Sequence, residues 1–549
     1  MTKKAKLFLA WILIGVTLAG CVGTPGAQST TGPTEGKSAT EEILEQIAQL
    51  GTSPEDNCRV WYEIFVYSYC DSDGDGIGDL NGVRSKLDEL EALGVNGIWL
   101  MPIHPSTSYH KYNVRDYYAI DPAYGTMADF EALMAECSQR GIRVILDLVV
   151  NHTGSDHAWF RQLADYLAFV PGDMQYVDAA DCPYVDYYNL STEGGKGYAA
   201  VPGTEFYYEC QFSTDMPDLN LGSAAVREEI RNIMQFWLDK GVAGFRVDAA
   251  KEFYTGDTEK NIEVLSWLQT TAKSLKEDVY MVAEVWDNFN TVADYYKSGF
   301  TSIFNYPFGD AGGQIIKTIR GMGNSSAVSG YANALEKADK RYLQNNPDYI
   351  DAPFLSNHDV GRIFGFGSGK EERIKLAAAM NLFMGGSAFV YYGEEIGMPG
   401  SGNDPSKRAP MYWNPERNEG TTQLPPGCTL PKAYPFGSLQ EQKADDNSIY
   451  NYYRQAIAIR KALPVISHGR VTAEAALNTG CVSAQRKTWN DKTCIILMNV
   501  STEPAQVNLE AYAQWAMAAQ LSVGAERASM EGSVLSMPGC GVVVLIPQE

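Results

Sequence analysis

The sequence predicts an α/β fold: a (β/α)8 TIM barrel, a small domain inserted after its third strand, and a C-terminal antiparallel β-sandwich domain. Two observations favour this architecture. Between about residues 58 and 462, helical patterns that end at a glycine alternate with short apolar runs, which is typical of parallel strands buried between helices. From about residue 465, short β-like runs joined by turns replace that pattern. About 400 residues of the first kind are enough for an eight-stranded barrel with insertions.

Three helix–glycine–strand units illustrate the barrel pattern in chain order. In each unit, apolar residues at helical spacing are followed by a terminating glycine and then by an apolar strand run. Thr126 and Asp129 predict a capping-box start for the second helix. The units comprise Leu87–Leu93, Gly94 and Val95–Leu100; Phe130–Cys137, Gly141 and Ile142–Val150; and Arg227–Lys240, Gly241 and Val242–Val247.

Two segments depart from this pattern and define the other domains. Residues 154–215 are rich in Tyr, Asp and Gly without a helical period, and they are too many for an ordinary loop. They predict an inserted domain between barrel segments 58–153 and 216–464. The C-terminal domain, residues 465–549, is predicted from four β-like runs, Arg470–Ala475, Cys481–Trp489, Thr493–Val500 and Val542–Ile546, with a turn at residues 490–492.

Composition excludes several classes of protein. Of the 549 residues, 45% are hydrophobic and 20% are charged, which argues against wholesale disorder. The chain has 44 Lys and Arg against 67 Asp and Glu, a formal net charge of −23. So acidic a chain binds nucleic acid poorly, and we expect no nucleic-acid partner. A coiled coil and a multi-span membrane protein are also disfavoured.

The first residues predict export. Three lysines, Lys3, Lys4 and Lys6, precede the apolar run Leu7–Leu18, which is too short for a membrane span. Residues 18–21, Leu-Ala-Gly-Cys, resemble a bacterial lipobox. This resemblance implies that residues 1–20 are a signal peptide and that Cys21 carries a lipid, the only membrane attachment, which would hold an exported chain at the cell membrane or surface. A simple secretory signal with an incidental Cys21 is the alternative. Residues 21–57 would form a flexible tether.

Nine further cysteines follow Cys21. In an exported chain some of them could form disulfides, and Cys182 with Cys210 is the pair expected from proximity along the chain. Connectivity cannot be read from sequence. No Cys-x-x-Cys motif and no Cys/His spacing indicates a zinc site.

Charged residues follow four of the predicted barrel strands at the point where each strand ends. Because barrel active sites lie at the carboxyl ends of the strands, these side chains are expected to meet. There is no G-x-S-x-G motif and no phosphate-binding loop. Paired carboxyl groups suit acetal cleavage, with one as nucleophile and one as proton donor. The four strand ends carry Asp147, Asn151 and His152; Arg246, Asp248 and Lys251; Glu284 and Trp286; and Asn357, His358 and Asp359.

These four segments resemble, in order, the four signature regions of the α-amylase family, glycoside hydrolase family 13, and the resemblance covers nearly all of the mature chain. It implies that Asp248 is the nucleophile, Glu284 the general acid/base and Asp359 a third carboxylate that stabilises the transition state. The remaining roles concern substrate. Arg246 would orient the nucleophile, and Lys251 would contact the sugar beyond the cut. Around the first sugar, Tyr112 would stack on the ring and His152 and His358 would hydrogen-bond to it. Asp116 resembles the supporting acid of the Tyr112 segment.

Three further segments agree with the family. Met216–Asn220 resembles its fifth region, Tyr391–Met398 resembles the segment at strand eight, and Arg408–Trp413 resembles the loop after that strand. A purely structural role for these segments, including Glu394 and Glu395, remains open.

The segment Asp-Ser-Asp-Gly-Asp-Gly-Ile-Gly-Asp predicts a structural Ca²⁺ site, since clustered oxygen ligands with glycines suit that ion. An EF-hand is disfavoured because Gly82 stands where the twelfth-position Glu should be, and no helix precedes the loop. Oligo-1,6-glucosidase-like family members bind Ca²⁺ with a similar segment. The expected ligands are Asp71, Asp73, Asp75, Ile77 and Asp79. A second Ca²⁺ site through Asn151 stays open, because its other ligands cannot be identified.

The sequence favours an endo-acting α-amylase that cleaves α-1,4-glucosidic bonds in starch and maltooligosaccharides. An exported, anchored enzyme suits a long α-glucan, and Lys251 matches α-1,4-acting amylases, although Glu252 replaces the usual His. A neopullulanase-like or oligo-1,6-glucosidase-type hydrolase is the alternative. A non-catalytic α-glucan-binding lipoprotein is disfavoured, because all three acids are present. Transglycosylation stays open, and a monomer is expected.

Overall fold

The computed structural model describes residues 37–430 and 434–548. The predicted signal peptide, the lipobox and Cys21 lie outside these residues. Within the described part of the chain, no helix is both long and apolar enough to cross a membrane.

The strands form four sheets. In the described residues the strands are, in chain order, β1 Val60–Ile64, β2 Gly97–Leu100, β3 Arg143–Leu148, β4 Leu190–Ser191, β5 Tyr198–Ala200, β6 Tyr207–Glu209, β7 Gly244–Val247, β8 Tyr280–Ala283, β9 Ser302–Ile303, β10 Ala388–Tyr391, β11 Arg470–Ala473, β12 Val482–Trp489, β13 Lys492–Asn499, β14 Ala505–Asn508, β15 Trp515–Leu521, β16 Ser529–Glu531, β17 Val534–Met537 and β18 Val542–Pro547.

The helices lie mainly between the strands of the largest sheet. In the described residues they are α1 Ala39–Ala48, α2 Val66–Tyr69, α3 Leu80–Ser85, α4 Leu87–Leu93, α5 Met127–Gln139, α6 Ala158–Leu167, α7 Ala224–Asp239, α8 Thr258–Leu275, α9 Phe289–Tyr295, α10 Gln314–Arg320, α11 Ser325–Asn345, α12 Ile363–Phe366, α13 Glu371–Leu382, α14 Asp404–Lys407, α15 Leu439–Lys443, α16 Ile449–Ala462 and α17 Val465–His468.

The largest sheet is the predicted barrel. Its seven strands are parallel in the order β10-β1-β2-β3-β7-β8-β9. The predicted seventh barrel strand, which should end at residues 354–359, is not a regular strand. Instead, Asp351–Pro353 closes the cylinder: Ala352 accepts from Asn305 N on one side, and Pro353 accepts from Phe389 N on the other. A proline has no N–H to donate, so this segment cannot form a full ladder.

An aromatic core fills the amino-terminal half of the barrel. The ring of Trp61 stacks on Tyr280 with centroids 5.0 Å apart and on Phe389 at 6.1 Å. Gly97 makes room for the indole, because a Cβ there would lie 2.4 Å from Trp61 Cε3. The cluster consists of Trp61, Trp99, Ile145, Ala243, Tyr280, Val282, Phe304, Tyr306, Ala352, Phe354, Val360 and Phe389. Interior layers of this kind make a barrel a packed core and not a pore.

The inserted region contains a helix that the sequence analysis missed. Its three short strands form the antiparallel sheet β4-β6-β5, but α6 precedes them at Ala158–Leu167. Phe160, Leu163 and Leu167 bury one face of α6, and the side chain of His157 accepts from Trp159 N at its start. Three apolar residues at helical spacing are too few to predict a helix when the surrounding sequence is rich in Tyr and Asp.

Two antiparallel sheets form the C-terminal region, in the orders β11-β12-β13-β18-β15 and β14-β17-β16. Strand β13 is buried along most of its length, and alternate residues face two different cores. Ile495 and Leu497 pack between the sheets, whereas Ile496 and Met498 belong to the large core shared with the barrel. The predicted C-terminal domain therefore packs against the barrel through one face of its larger sheet.

Two further expectations differ from the structure. The tether predicted for residues 21–57 contains helix α1, which buries Thr40 and Ile47 and whose first N–H groups donate to the carboxylate of Asp446. The nine described cysteines are all free thiols, so the expected Cys182–Cys210 disulfide is not formed. Proximity along the chain did not bring these two buried thiols together, since Cys182 begins a 3₁₀ helix and Cys210 follows β6.

Candidate active site

A layer of charged side chains lies directly above the aromatic core of the barrel. Because alternate residues of a strand share a face, the side chain two positions after an inward-facing core residue also faces inward. Glu63 follows Trp61 in this way, Asp147 follows Ile145, and Glu284 follows Val282. The pattern places these charges at the carboxyl ends of β1, β3 and β8, the end where barrel enzymes carry out their chemistry.

The guanidinium of Arg246 on β7 is the centre of this layer, with only 1% of the residue exposed. Its Nη1 donates to Asp147 and, at 2.6 Å, to Asp248 Oδ1, while its Nη2 donates to Glu284 Oε2 at 2.6 Å. The backbone N–H of Ala249, a residue in the left-handed region at φ +47°, also donates to Glu284 Oε2 at 3.0 Å. One planar group thus holds the predicted nucleophile and acid side by side.

The third predicted carboxylate, Asp359, has its own cations. Arg408 Nη2 lies 2.9 Å from Asp359 Oδ1, and His358 Nε2 lies 3.0 Å from Oδ2. The Nδ1 atom of His358 is 2.6 Å from Glu63 Oε1, so the imidazole connects two carboxyl groups. The hydroxyl of Tyr112 also hydrogen-bonds to His358 Nε2, at 2.8 Å, and its ring stacks on the imidazole.

These contacts and burial shift the pKa values of the nucleophile and the acid in the same direction. Burial raises the pKa of Asp248 to about 6, although Arg246 opposes the shift. Burial also raises the pKa of Glu284, and the nearby charges of Asp248 and Asp359 raise it further, against Arg246. A retaining glycosidase requires one ionised carboxylate and one protonated carboxyl group, and two adjacent acids with raised pKa values can hold a single proton between them in this way.

His358 and Asp359 stabilise each other's charged forms, so the imidazole keeps its proton and the carboxyl group loses its proton. Burial favours a neutral His358, but Asp359 and Glu63 on its two sides raise its pKa to about 9. Burial likewise opposes the charge of Asp359, yet His358 and Arg408 hold the pKa of this carboxyl well below its usual range. Asp359 is therefore an anion across the working pH range, beside an imidazolium.

A cavity of about 790 Å³ opens above this layer. Six of the residues predicted for the site line it: the three acids together with Tyr112, His152 and Lys251. Arg246 and His358 lie beneath its floor, in contact with those acids. The full lining is Tyr109, His110, Tyr112, His152, Phe212, Ser213, Met216, Asp248, Ala249, Lys251, Glu252, Glu284, Trp286, Asp359, Asn403, Asp404, Pro405 and Arg408.

Asp116 is the predicted site residue that the structure does not bring to the cavity. It is exposed, and its Oδ1 accepts from Tyr118 N at 2.8 Å within its own loop. The next residue, Tyr117, is buried and points the other way, with its hydroxyl donating to Val149 O. The loop therefore turns the aromatic ring inward and Asp116 outward.

Sequence analysis missed two charged groups of the site. Glu63 lies inside the apolar strand β1, and an acid in such a run was a usable signal. Arg408 came within a segment that resembled the family, but only the fold shows that its guanidinium contacts Asp359. The exposed ring of Phe212, 51% accessible, was likewise not assigned to the cavity, whereas Trp286, 44% accessible, came with its predicted strand end.

Glu394 and Glu395 are not part of the cavity. Both are buried in a 3₁₀ helix after β10, where Glu394 accepts from Tyr453 Oη at 2.9 Å and Glu395 accepts from Tyr62 Oη at 2.8 Å. Burial raises their pKa values to about 8 and about 7. Their contacts are with the barrel scaffold and not with the site.

The acidic loop before α3 gathers carboxylates as predicted. Oxygens of Asp71, Asp73 and Asp79 lie within 4.8 Å of one another, so these groups could hold a metal ion. Asp75 is outside this group and its Oδ1 accepts from Ile77 N at 2.7 Å. Asp71 accepts three backbone N–H groups of the loop, which holds its carboxylate toward the centre.

Comparison with known proteins identifies the family. The sequence model described as "Alpha amylase, catalytic domain" matches residues 63–469, which is more than half of the chain. The chain belongs to the α-amylase family. This family membership makes the chain a glycoside hydrolase of the α-amylase type, and its barrel with the C-terminal sheets is the fold predicted from the sequence.

Individual relatives agree with this assignment. The chain is 42% identical over 419 residues to "Alpha-amylase 3" of Dictyoglomus thermophilum, a match that covers 75% of this chain and 79% of that protein. It is 27% identical over 525 residues to an oligo-1,6-glucosidase of Halalkalibacterium halodurans, covering 80% of this chain and 89% of that protein.

Among solved structures, Amy13B of Eubacterium rectale superimposes with a TM-score of 0.89 at 43% identity, over 93% of this chain and 99% of that one. The α-amylase of H. orenii gives 0.76 at 32% identity, over 90% and 100%.

The titrations of this α-amylase-family site predict a bell-shaped dependence of kcat/KM on pH. Activity falls about tenfold per pH unit as the pH drops below about 6, because Asp248 must be ionised to attack. Activity also falls at high pH, where Glu284 loses its proton and His358 its charge near pH 9. The measurement is kcat/KM on a soluble substrate from pH 4 to pH 10.

The substitution Glu63→Gln distinguishes the causes of the fall in kcat/KM at low pH (the acid limb) and at high pH (the alkaline limb). It removes one of the two carboxylates that raise the pKa of His358, so the alkaline limb should move to lower pH while the acid limb stays in place. Glu55→Gln, an exposed acid that pairs with Arg59, is the matched control. An alkaline limb that does not move in Glu63→Gln contradicts the assignment of this limb to His358.

Proposed function

We propose that this enzyme is an endo-acting α-amylase that hydrolyses α-1,4-glucosidic bonds in starch and maltooligosaccharides with retention of configuration. The observation that carries the proposal is the shared guanidinium: Arg246 hydrogen-bonds to both Asp248 and Glu284 at 2.6 Å. One guanidinium can reach both only if the two carboxyl groups are close, and a short separation of about 5 Å is typical of retaining enzymes.

In the first step, the Asp248 carboxylate attacks the anomeric carbon of the sugar in the cavity. A bond forms between that carbon and a carboxylate oxygen, the glycosidic C–O bond breaks, and Glu284 gives its proton to the leaving oxygen. The anion of Asp359 lies across the site and stabilises the positive charge that develops on the sugar ring.

In the second step, the leaving sugar departs and a water molecule replaces it. Glu284, now ionised, takes a proton from this water, the oxygen attacks the anomeric carbon, and the ester bond to Asp248 breaks. Both carboxyl groups return to their starting protonation states. If another sugar hydroxyl replaces the water, the same step transfers the glycosyl group to it.

The cavity wall supports an extended substrate. Tyr112 presents a ring beside the reacting centre, and the exposed rings of Phe212 and Trp286 lie further out on the lining. Trp286 is held by stacking on Tyr306, with centroids 5.3 Å apart. Lys251 Nζ lies 3.3 Å from Trp286 O, which keeps its charge near that ring. Aromatic faces beyond the first sugar favour a chain over a single glucosyl unit.

Product analysis tests the proposal. The purified chain is incubated with soluble starch, pullulan and isomaltose, and an endo-amylase releases mixed maltooligosaccharides from starch. Asp248→Asn removes the nucleophile and should lower kcat by about 10⁴-fold or more. Asp348→Asn, which changes an exposed acid that does not line the cavity, is the matched control and should keep full activity.

The other outcomes each decide against the proposal. Cleavage confined to pullulan or isomaltose would assign the neopullulanase or oligo-1,6-glucosidase specificity instead. Release of no product from any of the three would favour an α-glucan-binding protein.

We also propose that the acidic loop binds a structural Ca²⁺ through Asp71, Asp73, Asp75, Asp79 and the carbonyl of Ile77. The donor set supports this ion, because it consists of oxygens alone and three of the carboxylates already converge. Asp79 also caps helix α3 by accepting from Gly82 N at 2.8 Å, so an ion here would tie the loop to that helix. The ion would act on stability and not on the glycosidic bond.

Calcium removal should therefore lower the thermal unfolding midpoint. A ligand present at about 100 times its Kd adds roughly 2.7 kcal/mol to the free energy of unfolding. The midpoint is measured with excess Ca²⁺ and with a chelator. Asp73→Ala should abolish the difference, whereas Asp348→Ala should retain it. An equal Ca²⁺ effect in both variants would locate the ion elsewhere.

We further propose that the chain is exported and anchored by a lipid on Cys21. The lysines, the apolar run and the lipobox-like residues 18–21 support this localisation. Cells expressing the chain are fed a labelled fatty acid, and the label should appear on the protein and be lost in Cys21→Ala but not in Cys428→Ser. An unlabelled wild-type chain would refute the lipid anchor.

A further inference from the structure

Three potential metal ligands meet at the amino-terminal end of the barrel, opposite the active site. Asp56 and Cys58 lie just before β1, and His468 is the last residue of α17. One carboxylate oxygen, the thiol sulfur and one ring nitrogen of these residues all lie within 4.8 Å of one another. The chain thus brings together three different donor types from segments that are 412 residues apart.

The imidazole of His468 is fixed in the orientation that a metal ligand needs. Its Nδ1 lies 2.8 Å from Ser467 Oγ and 3.0 Å from the carbonyl oxygen of Pro464; because the Ser467 hydroxyl itself donates to that carbonyl, Nδ1 is placed to donate to both oxygens. Its Nε2 lies 2.7 Å from Asp56 Oδ2. Metal-binding histidines commonly donate one ring N–H to a carbonyl and present the other nitrogen to the ion.

The carboxylate of Asp56 is oriented in the same way. Its Oδ1 accepts from the backbone N–H of Cys58 at 2.8 Å, which leaves Oδ2 to face His468. The nearby guanidinium of Arg59 donates to Glu55 at 2.7 Å and to the carbonyls of Asn96 and Gly141. The guanidinium of Arg59 therefore leaves Asp56 Oδ2 available to a metal ion.

A cavity of about 520 Å³ reaches this cluster. All three ligands lie on its wall, together with Trp489, whose ring centroid is 4.5 Å from that of His468. The cavity gives an ion a path from solvent and leaves room for a water molecule as a further ligand. The indole covers one side of the imidazole and limits its movement.

We propose that Asp56, Cys58 and His468 bind a Zn²⁺ ion, with water as the fourth ligand. A thiolate, an imidazole nitrogen and a carboxylate oxygen are the donors that tetrahedral Zn²⁺ takes in proteins. Around such an ion the donor atoms are roughly 3.5 Å apart, so the cluster would contract slightly on binding. The thiol of Cys58 and Nε2 of His468 each release one proton to solvent, and the metal replaces both.

The position of the site indicates a structural role. It ties the residues that start β1 to the segment that leads from the barrel into the C-terminal sheets. The aromatic core of Trp61, Trp99, Tyr280 and Phe389 lies between the cluster and the catalytic layer. We therefore expect Zn²⁺ to raise the unfolding temperature and to leave kcat unchanged.

Cobalt substitution tests the site directly. The purified full chain is kept in excess Ca²⁺, which saturates the all-oxygen loop, and Co²⁺ is added as a probe. One Co²⁺ per chain should produce a thiolate-to-cobalt absorption band in the near ultraviolet, and one equivalent of Zn²⁺ should remove it. Zn²⁺ should also raise the thermal midpoint of the metal-free chain by several degrees.

Variants assign the ligands. Cys58→Ser should lose the band, and His468→Gln and Asp56→Asn should weaken Co²⁺ binding by about 100-fold or more. Cys481→Ser, which removes another free and partly exposed thiol, is the matched control and should keep the band. Hydrolytic activity equal to that of the wild type establishes that each variant is folded.

Two results would overturn the proposal. A wild-type chain that shows no thiolate band with Co²⁺ and no thermal shift with Zn²⁺ has only an Asp56–His468 ion pair at this position. A band that persists in Cys58→Ser would assign the metal to another thiol.

Discussion

The buried guanidinium of Arg246 is the interaction on which the active site depends. It contacts the carboxyl groups of Asp147, Asp248 and Glu284 and fixes their positions relative to one another. Removing one partner from a buried ion pair costs about 3–5 kcal/mol, because the remaining charge is left without compensation. The parallel pairing of β3, β7 and β8 fixes the spacing, since Asp147, Arg246 and Val282 are neighbours across those strands.

The layer contains more carboxyl groups than cations, and this excess of negative charge determines which carboxyl groups can keep a proton. Five carboxyl groups, Glu63, Asp147, Asp248, Glu284 and Asp359, face three cations, Arg246, His358 and Arg408. A buried site cannot hold so much excess negative charge, so the least compensated carboxyl groups keep their protons. Asp359 contacts two cations and stays ionised, whereas Asp147, Asp248 and Glu284 share the one cation Arg246 and all have raised pKa values, so a proton held among them is available for transfer to the leaving oxygen.

The sequence predicted what local patterns encode and missed what the fold alone assembles. Asp248 and Glu284 could be found because each follows an apolar strand at the end where barrels react. The α5 capping box at Thr126 and Asp129 is present as predicted, because it needs only residues three apart. Arg408 and His468 could not be assigned, since their partners lie far away in the chain, and Cys58 has no second ligand at a recognisable spacing.

The two ends of the barrel are separated by a packed layer of large side chains, most of them aromatic. Between the charged layer and the amino-terminal cluster lie stacked aromatic rings, with Trp61 against Tyr280 and Phe389. Close-packed side chains of this kind separate the two clusters physically. A ligand at Cys58 and His468 would act on the start of β1, whereas burial and the neighbouring charges of the catalytic layer set the pKa values of Asp248 and Glu284, so stability and catalysis can change separately in one barrel.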